Sequence, residues 1–415
     1  MAWGEEKATV IKDIVEGEEN SATPATCLQK HPNIEVVVDE GASQELTRVK
    51  TPWLVGTCLW PERFIRTAGL WLCRKVDKPI LKLTYQDYID NRLGQLLEAT
   101  GQTYDMINIQ VFNDLQHTIS GWPGGKPNAD DSTRPERATP YPKRVLIFSP
   151  HPDDDVISMG GTFIRLIAQG HDVHVAYQTS GNIAVLDDIV LQTLDTAREC
   201  GFVDRYNEVQ EIINNKKKGE AEPIELRRLK GSIRRAEAKA ACRQMGLTDP
   251  SHVHFLNLPF YETGGVKKGL LTDKDIQIVV DLLREIKPHQ IYAAGDLSDP
   301  HGTHRVCIEA VLAAMEVVQD EEWVKECRLW LYRGAWQEWD LDMVDMAVPL
   351  SPDEVIQKRH AIYRHLSQKD IVPFPGEDKR EFWQRAEERN QNTARLYDKL
   401  GMAEYQAIEV FVRLF

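Results

Sequence analysis

The chain has 415 residues, of which 42% are hydrophobic and 27% charged, which is typical of a globular protein with one large core and room for a second unit. Its formal net charge of −14 argues against non-specific binding to nucleic acid and to an anionic membrane surface. Seven scattered cysteines without a C-x-x-C pair, no signal-peptide pattern and no apolar run of transmembrane length predict a cytoplasmic protein with reduced thiols.

Residues 1–50 have a helical pattern through Glu16, then a loop, then a strand-like run from Ile34 to Asp39. Helix, loop and strand make half of an α/β repeat. The stretch resembles the C-terminal part of the glucosamine-6-phosphate deaminase/isomerase family at these positions: Gly4, Lys7, Ala8, Glu16, Gly17, Pro24, Leu28, Gln29, His31, Asp39, Ala42 and Leu46. The glycine loop and the catalytic Asp-Gly-His segment of that family have no counterpart in the chain. We therefore expect a fragment without deaminase activity of its own.

Residues 51–140 give fewer signals. Helical spacing runs from Tyr85 to Thr100, while 121–125 and 126–142 are rich in glycine, proline and charge, which is the composition of a linker. We therefore predict three parts, which are a deaminase-like fragment at 1–50, a connecting region and linker at 51–140, and a main domain at 141–415.

Strands and helices alternate from Arg144 onward. We predict strands at about 144–149, 173–177, 253–256, 289–294, 328–332 and 405–412. We predict helices at about 159–169, 224–245, 273–286, 305–318, 352–366 and 380–398. This alternation predicts an α/β fold with a mostly parallel, doubly wound sheet.

Two loops contain the residue types of a metal site. One reads His151-Pro152-Asp153-Asp154-Asp155 after the first strand, and the other reads His301-Gly302-Thr303-His304 after a later strand. The carboxyl ends of parallel strands share one edge of a sheet, so the loops converge if their strands are neighbours. Two imidazoles and a carboxylate then form a three-ligand site with an open position for water, as catalytic zinc requires.

These loops carry a second family resemblance. The first loop with Gly160-Gly161-Thr162, and the segment from His301 to His304, resemble the signature of the PIG-L/LmbE-like zinc N-deacetylases. The Arg234-x-x-Glu237 helix and the run 255–261 are also similar to that family, and the similarity spans about 144–310. The resemblance implies a Rossmann-like fold and hydrolysis of the N-acetyl group of N-acetylglucosaminyl compounds.

The resemblance also implies roles for the matching residues. His151, Asp154 and His304 would bind zinc or another divalent metal. Asp153 would be the general base that takes a proton from the attacking water and returns it to the departing amine.

Further residues are implied around the metal. His301, protonated, would stabilise the oxyanion, and Arg234 would contact sugar hydroxyls or a phosphate. Asn257 and Glu262 lie beyond a predicted strand and are candidates for lining the substrate pocket.

Two positions depart from the pattern of the family. Asp155 stands where glutamate is usual, and Gly302 and Thr303 replace the middle of an H-P-D-H segment. The carboxylate that would orient His301 is therefore absent from that segment, and Asp299 or Asp296 could replace it.

The sequence thus predicts a zinc-dependent hydrolase that removes the N-acetyl group of an amino sugar. The expected partner is a small amino sugar, with no nucleic acid and no membrane, and the oligomeric state stays open. Two alternatives are a catalytically inactive sugar-binding or regulatory module, and a metal hydrolase of non-sugar N-acyl amines. Other histidines near the strands, namely His171, His174, His252 and His254, are expected to be packed or exposed rather than metal-binding.

Overall fold

The computed structural model describes residues 1–202, 205–217, 220–265, 267–297, 302–334, 337–369 and 380–415. The chain divides into two compact units. Unit 1 comprises Met1–Thr118, Asp340–Met343 and Arg395–Glu404, and unit 2 comprises Ile119–Trp339, Val344–Ala394 and Tyr405–Phe415. The division at residues 50 and 140 stays a prediction.

Unit 1 is helical. Helices α1 to α7 are, in chain order, Ala8–Glu16, Glu40–Ser43, Thr47–Lys50, Glu62–Val76, Tyr85–Asp90, Gly94–Thr100 and Tyr104–Thr118. The buried Trp53 lies at the centre of an aromatic cluster, with ring centroids of Trp60, Phe64 and Trp71 at 5.4–5.9 Å. Such packing of large aromatic rings supplies much of the buried apolar surface of a small unit.

Two elements predicted for unit 1, a helix and a strand, differ from the structure. The helix expected from Tyr85 to Thr100 is split into α5 and α6, because Arg92 between them has a positive φ of 62°. The strand expected from Ile34 to Asp39 is wrong. The structure gives this run one isolated bridge, between Val38 and Ala2, and leaves Val37 49% exposed. A β-branched run without a partner strand has no ladder to join.

Unit 2 is built on a sheet. Strands β1 to β7 are Arg144–Ser149, Asp172–Tyr177, Val253–Phe255, Gln290–Ala294, Arg328–Tyr332, Met346–Leu350 and Ala407–Arg413. Helices α8 to α15 are Asp154–Ala168, Asp187–Glu199, Tyr206–Asn214, Ile224–Met245, Asp273–Ile286, Thr303–Val318, Pro352–Ile362 and Phe382–Lys399. In the described part of the unit the strands form one sheet in the order β3-β2-β1-β4-β5-β7-β6.

The sheet is mostly parallel and covered on both faces. β1 to β5 pair in parallel, and β7 runs antiparallel to β5 and to β6. Val145 and Ile147 of β1 pack with α8, α11 and α14, while Leu146 and Phe148 pack with α12 and α13. The predicted α/β class with a mostly parallel sheet is therefore confirmed. Among the helices that the structure describes, none has the combined length and apolarity needed to span a bilayer.

Clear end signals explain why several helices were predicted correctly. α11 follows Pro223 and ends at Gly246, whose φ of 101° suits glycine. α12 begins with a capping box between Thr272 and Asp275, which satisfies backbone N–H groups at its first turn.

β6 was not predicted. Its sequence contains Pro349, and proline interrupts a strand pattern because it cannot donate a backbone hydrogen bond. β6 lies at the edge of the sheet, where one side of the strand needs no partner. A proline is tolerated in that position.

Helix α8 begins earlier than predicted. The expected start near residue 159 corresponds to a kink, where Met159 has φ −134° and ψ 24°. Asp154 and Asp155 therefore lie in the first helical turn and not in a loop, and Asp153 is the N-cap. Carboxylates suit this position because the N-terminus of a helix carries a partial positive charge.

A buried carboxylate fixes the second segment of α8. Glu409 accepts hydrogen bonds from the backbone N–H groups of Gly161 at 3.0 Å and Thr162 at 2.7 Å, and from Lys358 Nζ at 2.7 Å. A Cβ on Gly161 would lie 2.5 Å from the methyl carbons of Leu350, so a larger residue would require the Leu350 side chain to move. Glu409 thus anchors the helix whose first turn carries Asp154.

Candidate metal centre

The candidate site lies where the sheet changes its winding direction. β1 pairs with β2 on one side and with β4 on the other. Helix α8 follows β1 and packs on one face, whereas α13 follows β4 and packs on the other face. A crevice at the carboxyl ends of such strands is the usual place for a ligand in an open α/β sheet.

Three predicted ligands meet in this crevice. His151 follows β1, Asp154 is in the first turn of α8, and His304 is in the first turn of α13. The distance from Asp154 Oδ2 is 3.1 Å to His151 Nδ1 and 3.2 Å to His304 Nε2. Ligand atoms of the three residues all lie within 4.8 Å of one another. Tetrahedral zinc with bonds of about 2.0–2.2 Å places its ligand atoms about 3.3–3.5 Å apart, so this donor set fits the ion.

The carboxylate of this triad is held ionised. Burial alone would raise the pKa of Asp154. The charge of His304 and the hydrogen bonds from His151 and His304 lower this pKa by more than burial raises it, so the net shift is downward. The backbone N–H of His151 also donates to Asp154 Oδ2 at 2.8 Å. An ionised carboxylate between two imidazoles is the charge state that metal binding needs.

Asp155 points away from the triad. Ser149 Oγ and Tyr177 Oη donate to its two oxygens at 3.2 and 3.1 Å, and the side chain is fully buried. Burial raises the pKa of Asp155 to about 7. The shorter acid at this position therefore ties the start of α8 to β1 and β2.

Asp153 has a partner that the sequence did not indicate. Arg234 Nη2 lies 3.0 Å from Asp153 Oδ1, and both side chains are buried. Burial lowers the pKa of Arg234, but the charges of Asp153 and Glu237 outweigh it and the net shift is upward. Arg234 Nε and Nη1 are buried without a hydrogen-bond partner among the described residues. Glu237 in turn accepts from the backbone and the hydroxyl of Ser367 at 2.6 and 2.7 Å.

The two predicted pocket residues have protein partners. Asn257 Oδ1 accepts from Arg235 Nη2 at 2.8 Å, and its side-chain amide donates to the carbonyl of Phe255. Glu262 Oε2 accepts from Asn182 Nδ2 at 3.1 Å, while Glu262 Oε1 is buried without a hydrogen-bond partner in the part of the chain that is described. Their roles in substrate binding stay predictions.

The predicted oxyanion residue cannot be placed. His301 and Asp299 lie outside the described residues. Asp296, the other residue considered as the partner that orients His301, is buried just after β4. The role of His301 therefore stays a prediction.

One histidine near the site was missed. His365 is 4% exposed, and neither ring nitrogen has a hydrogen-bond partner within the described ranges. Burial lowers the pKa of His365 to about 4, and the charges of Asp153, Arg234 and Asp154 act on it as well. No motif surrounds His365 in the sequence, so only the three-dimensional structure brings it to this crevice. A buried ring with two unpaired nitrogens is suited to hydrogen-bond a ligand.

Comparison with known proteins finds a family match for part of the chain. Residues 146–315 match the PIG-L family, described as GlcNAc-PI de-N-acetylase. A glucosamine-6-phosphate deaminase-like protein of Bacteroides thetaiotaomicron is 53% identical over 99% of this chain, and the chain spans 64% of the length of that relative. The glucosamine-6-phosphate deaminase of Lactobacillus helveticus is 52% identical over 46 residues, which are 11% of this chain and 19% of that enzyme.

Solved structures show weaker similarity. N,N'-diacetylchitobiose deacetylase of Pyrococcus horikoshii has 20% identity and a TM-score of 0.41, with coverage of 66% of this chain and 84% of that protein. GalB, the 4-carboxy-2-hydroxymuconate hydratase of Pseudomonas putida, has 18% identity and a TM-score of 0.42, with coverage of 66% and 96%. At these scores the likeness supports no conclusion about chemistry. Both resemblances inferred from the sequence are nonetheless confirmed: residues 146–315 match the PIG-L family, and a short part of the chain is similar to glucosamine-6-phosphate deaminases.

Proposed function

We propose that this protein is a metal-dependent hydrolase that removes the N-acetyl group from an N-acetylglucosamine-type amino sugar or its conjugate. The observation that carries the proposal is the convergence of His151, Asp154 and His304 beside the buried acid Asp153. The match of residues 146–315 to a de-N-acetylase family supports the same reaction. The similarity to glucosamine-6-phosphate deaminases supports a glucosamine-type substrate.

The metal-binding triad and Asp153 have different roles in the proposed reaction. A divalent ion held by the triad would supply a Lewis acid for the acetyl carbonyl and make the attacking water more acidic. Asp153 accepts the proton of that water as the carbon–oxygen bond forms, and passes it to the nitrogen as the carbon–nitrogen bond breaks. The products are acetate and the free amine.

Arg234 is the positioning residue for the base. Its guanidinium fixes one oxygen of Asp153 at 3.0 Å, so the other oxygen is free to face the water. Direct contact of Arg234 with a sugar hydroxyl or a phosphate remains part of the proposal, because Nε and Nη1 make no hydrogen bond to a described residue and Nη1 is 3.9 Å from Glu237 Oε2.

The reaction is tested on the full chain loaded with zinc. Acetate release is measured with N-acetylglucosamine, its 6-phosphate, an N-acetylated chitobiose and N-acetyl amines that lack a sugar. We expect release from an amino sugar, and loss of that release on removal of the metal with a chelator.

The alternatives give different results in the same experiment. Full metal occupancy without acetate release from any of the amides would favour an inactive sugar-binding or regulatory module. Release only from the amides without a sugar would favour a hydrolase of non-sugar N-acyl amines. Either outcome would contradict the proposed substrate class.

A further inference from the structure

A second cluster of potential ligands lies at the other end of the sheet. Asp172 is the first residue of β2 and His174 is the third, while His252 ends the turn that precedes β3. Ligand atoms of these three residues all lie within 4.8 Å of one another. The cluster is thus at the amino-terminal ends of its strands, whereas the candidate metal centre is at carboxyl-terminal ends.

The strand period places these side chains together. Asp172 and His174 are two residues apart in β2, so they share one face of that strand. His252 ends the turn before β3, and His254 is the middle residue of β3. β2 and β3 pair in parallel with Ala176 opposite His254. D-x-H and H-x-H therefore come together on one face of two adjacent strands.

The geometry matches a divalent ion with nitrogen and oxygen ligands. Asp172 Oδ1 lies 3.3 Å from His174 Nε2 and 3.6 Å from His252 Nε2. These separations are close to the ligand spacing of about 3.3–3.5 Å that a tetrahedral zinc site imposes. The ring centroids of His174 and His252 are 4.2 Å apart and the ring planes are tilted by 30°, so the two rings lie side by side next to Asp172.

A third histidine, His254, lies next to the cluster. His174 Nδ1 is 3.1 Å from His254 Nε2, so one of these two nitrogens donates a hydrogen bond to the other. If His174 donates from Nδ1, its Nε2 keeps the lone pair that a metal needs. A metal-binding histidine commonly donates its other ring nitrogen in this way.

The surroundings favour a cation. The carboxylates of Asp249 and Glu285 lie close enough for their charges to act on His252 and His254, respectively. The side chains of Asp172, His252 and His174 are 42%, 28% and 14% exposed, so an ion from solution can reach them.

Contrary to the expectation from the sequence for His174 and His252, we propose that Asp172, His174 and His252 form a second metal site, which binds Zn²⁺ or a similar borderline divalent ion. The ligands come from β2 and from the turn before β3, so the ion joins the three-residue edge strand to its neighbour. Two imidazoles with one carboxylate favour zinc, nickel or copper over magnesium and calcium, which prefer sets of oxygen ligands. The role is structural, because the site stands away from the crevice of the candidate metal centre.

Metal stoichiometry tests this proposal. The full chain is stripped with a chelator, equilibrated with Zn²⁺ at neutral pH in the presence of excess Mg²⁺, desalted and measured by elemental analysis. We expect two zinc ions per chain. His252→Ala and Asp172→Asn should each leave one, and His151→Ala should also leave one because it affects the other site. The double variant H151A/H252A should bind none.

Controls separate loss of a ligand from loss of the fold. His360→Ala removes an exposed histidine outside both clusters and should keep two zinc ions. His252 is in a turn, so H252A should keep the far-ultraviolet circular dichroism of the parent. Zinc should raise the unfolding temperature of H151A but not that of H151A/H252A.

Two results would overturn the proposal. One is a wild-type chain that binds a single zinc ion, which is lost in H151A. The other is an H252A or D172N chain that still binds two ions with the same affinity as the parent. Neither result depends on the hydrolase activity proposed for the first site.

Discussion

Two clusters of one aspartate and two histidines stand at opposite ends of one sheet, and they differ in their surroundings. In the first, the side chains of Asp154, His304 and His151 are 6%, 3% and 22% exposed. In the second, Asp172 is 42% exposed and belongs to an edge pair of strands. The ligand types are the same, so the ligands by themselves do not determine what a bound ion does.

The neighbours of each cluster make the difference. The first has a buried acid, Asp153, fixed by a buried guanidinium, and it opens into the crevice where parallel strands diverge. The second has a supporting histidine and carboxylates that favour a cation, at the end of the sheet away from the crevice. Catalysis needs a positioned proton acceptor beside the ion, whereas a structural ion needs only ligands.

Replacing the acid beside the first cluster separates metal binding from catalysis. Asp153→Asn keeps an oxygen that can accept from Arg234 but loses the basic carboxylate. We expect metal content within error of the parent and a fall in kcat of about 10²–10⁴, the usual contribution of a general base. Elemental analysis and acetate release measure the two quantities. A D153N protein with near-parental kcat would show that another group accepts the proton.

Removing the anchor of α8 should affect one cluster and spare the other. Glu409→Ala leaves Lys358 buried without its carboxylate and exposes the N–H groups of Gly161 and Thr162 to an apolar core. We expect a loss of about 3–5 kcal/mol in the free energy of unfolding, since one member of a buried ion pair is removed. Urea titration measures it.

The two metal clusters should respond differently to the loss of Glu409. Because Asp154 is carried by α8, zinc affinity at the first cluster should fall in E409A, while the second cluster should keep the affinity of the parent. Glu322→Ala removes the partner of the exposed Lys325 and should cost less than about 1 kcal/mol. Equal losses in E409A and E322A would contradict the role of Glu409 as an anchor.

Some elements of unit 2 were predicted correctly from the sequence, and others were missed. β1, α11 and α12 were found because their apolar period and end signals are local, and the two loops could be paired because parallel strands end at one edge. The start of α8 was missed because the three consecutive acids Asp153–Asp155 are typical of a loop, and because the helical pattern is clear only after the kink at Met159.

Other features depend on contacts between distant residues. The pairing of Asp153 with Arg234 spans separate elements, and nothing in either local pattern encodes it. The run from Ile34 to Asp39 has β propensity but no partner strand, so tertiary context decided against it. The histidines of the second cluster carry a strand period, which predicts a shared face but not convergence on one point.

His365 offers a smaller test beside the first cluster. Its nitrogens make no hydrogen bond to any described residue, so His365→Leu removes no such bond and should change the free energy of unfolding by less than about 1.5 kcal/mol. If the ring binds the substrate or the developing oxyanion, kcat/KM should fall about tenfold, the value of one hydrogen bond of about 1.4 kcal/mol. The separate changes in KM and kcat show which state it binds. Unchanged kinetics in H365L would leave His365 a packing residue only.

The smallest predicted effect concerns a histidine at the same end of the sheet as the second cluster. His289 precedes β4, and its Nδ1 accepts the backbone N–H of Arg144 at 3.0 Å, so the ring must be neutral there. Burial and the charge of Arg144 lower the pKa of His289 to about 4 from 6.5. A lowered pKa in the folded state means that the stabilisation is present above pH 6.5 and is lost as the pH falls towards 4.

His289→Asn keeps an acceptor that does not titrate in this range. We expect the loss of stability between pH 6.5 and 4 to be smaller in H289N by about 1 kcal/mol, a value reduced for the water that reaches the ring. Urea titration of metal-free protein across that pH range measures it, with the exposed His360→Asn as the control. Parallel pH profiles of H289N and the parent would contradict a lowered pKa of His289 in the folded protein.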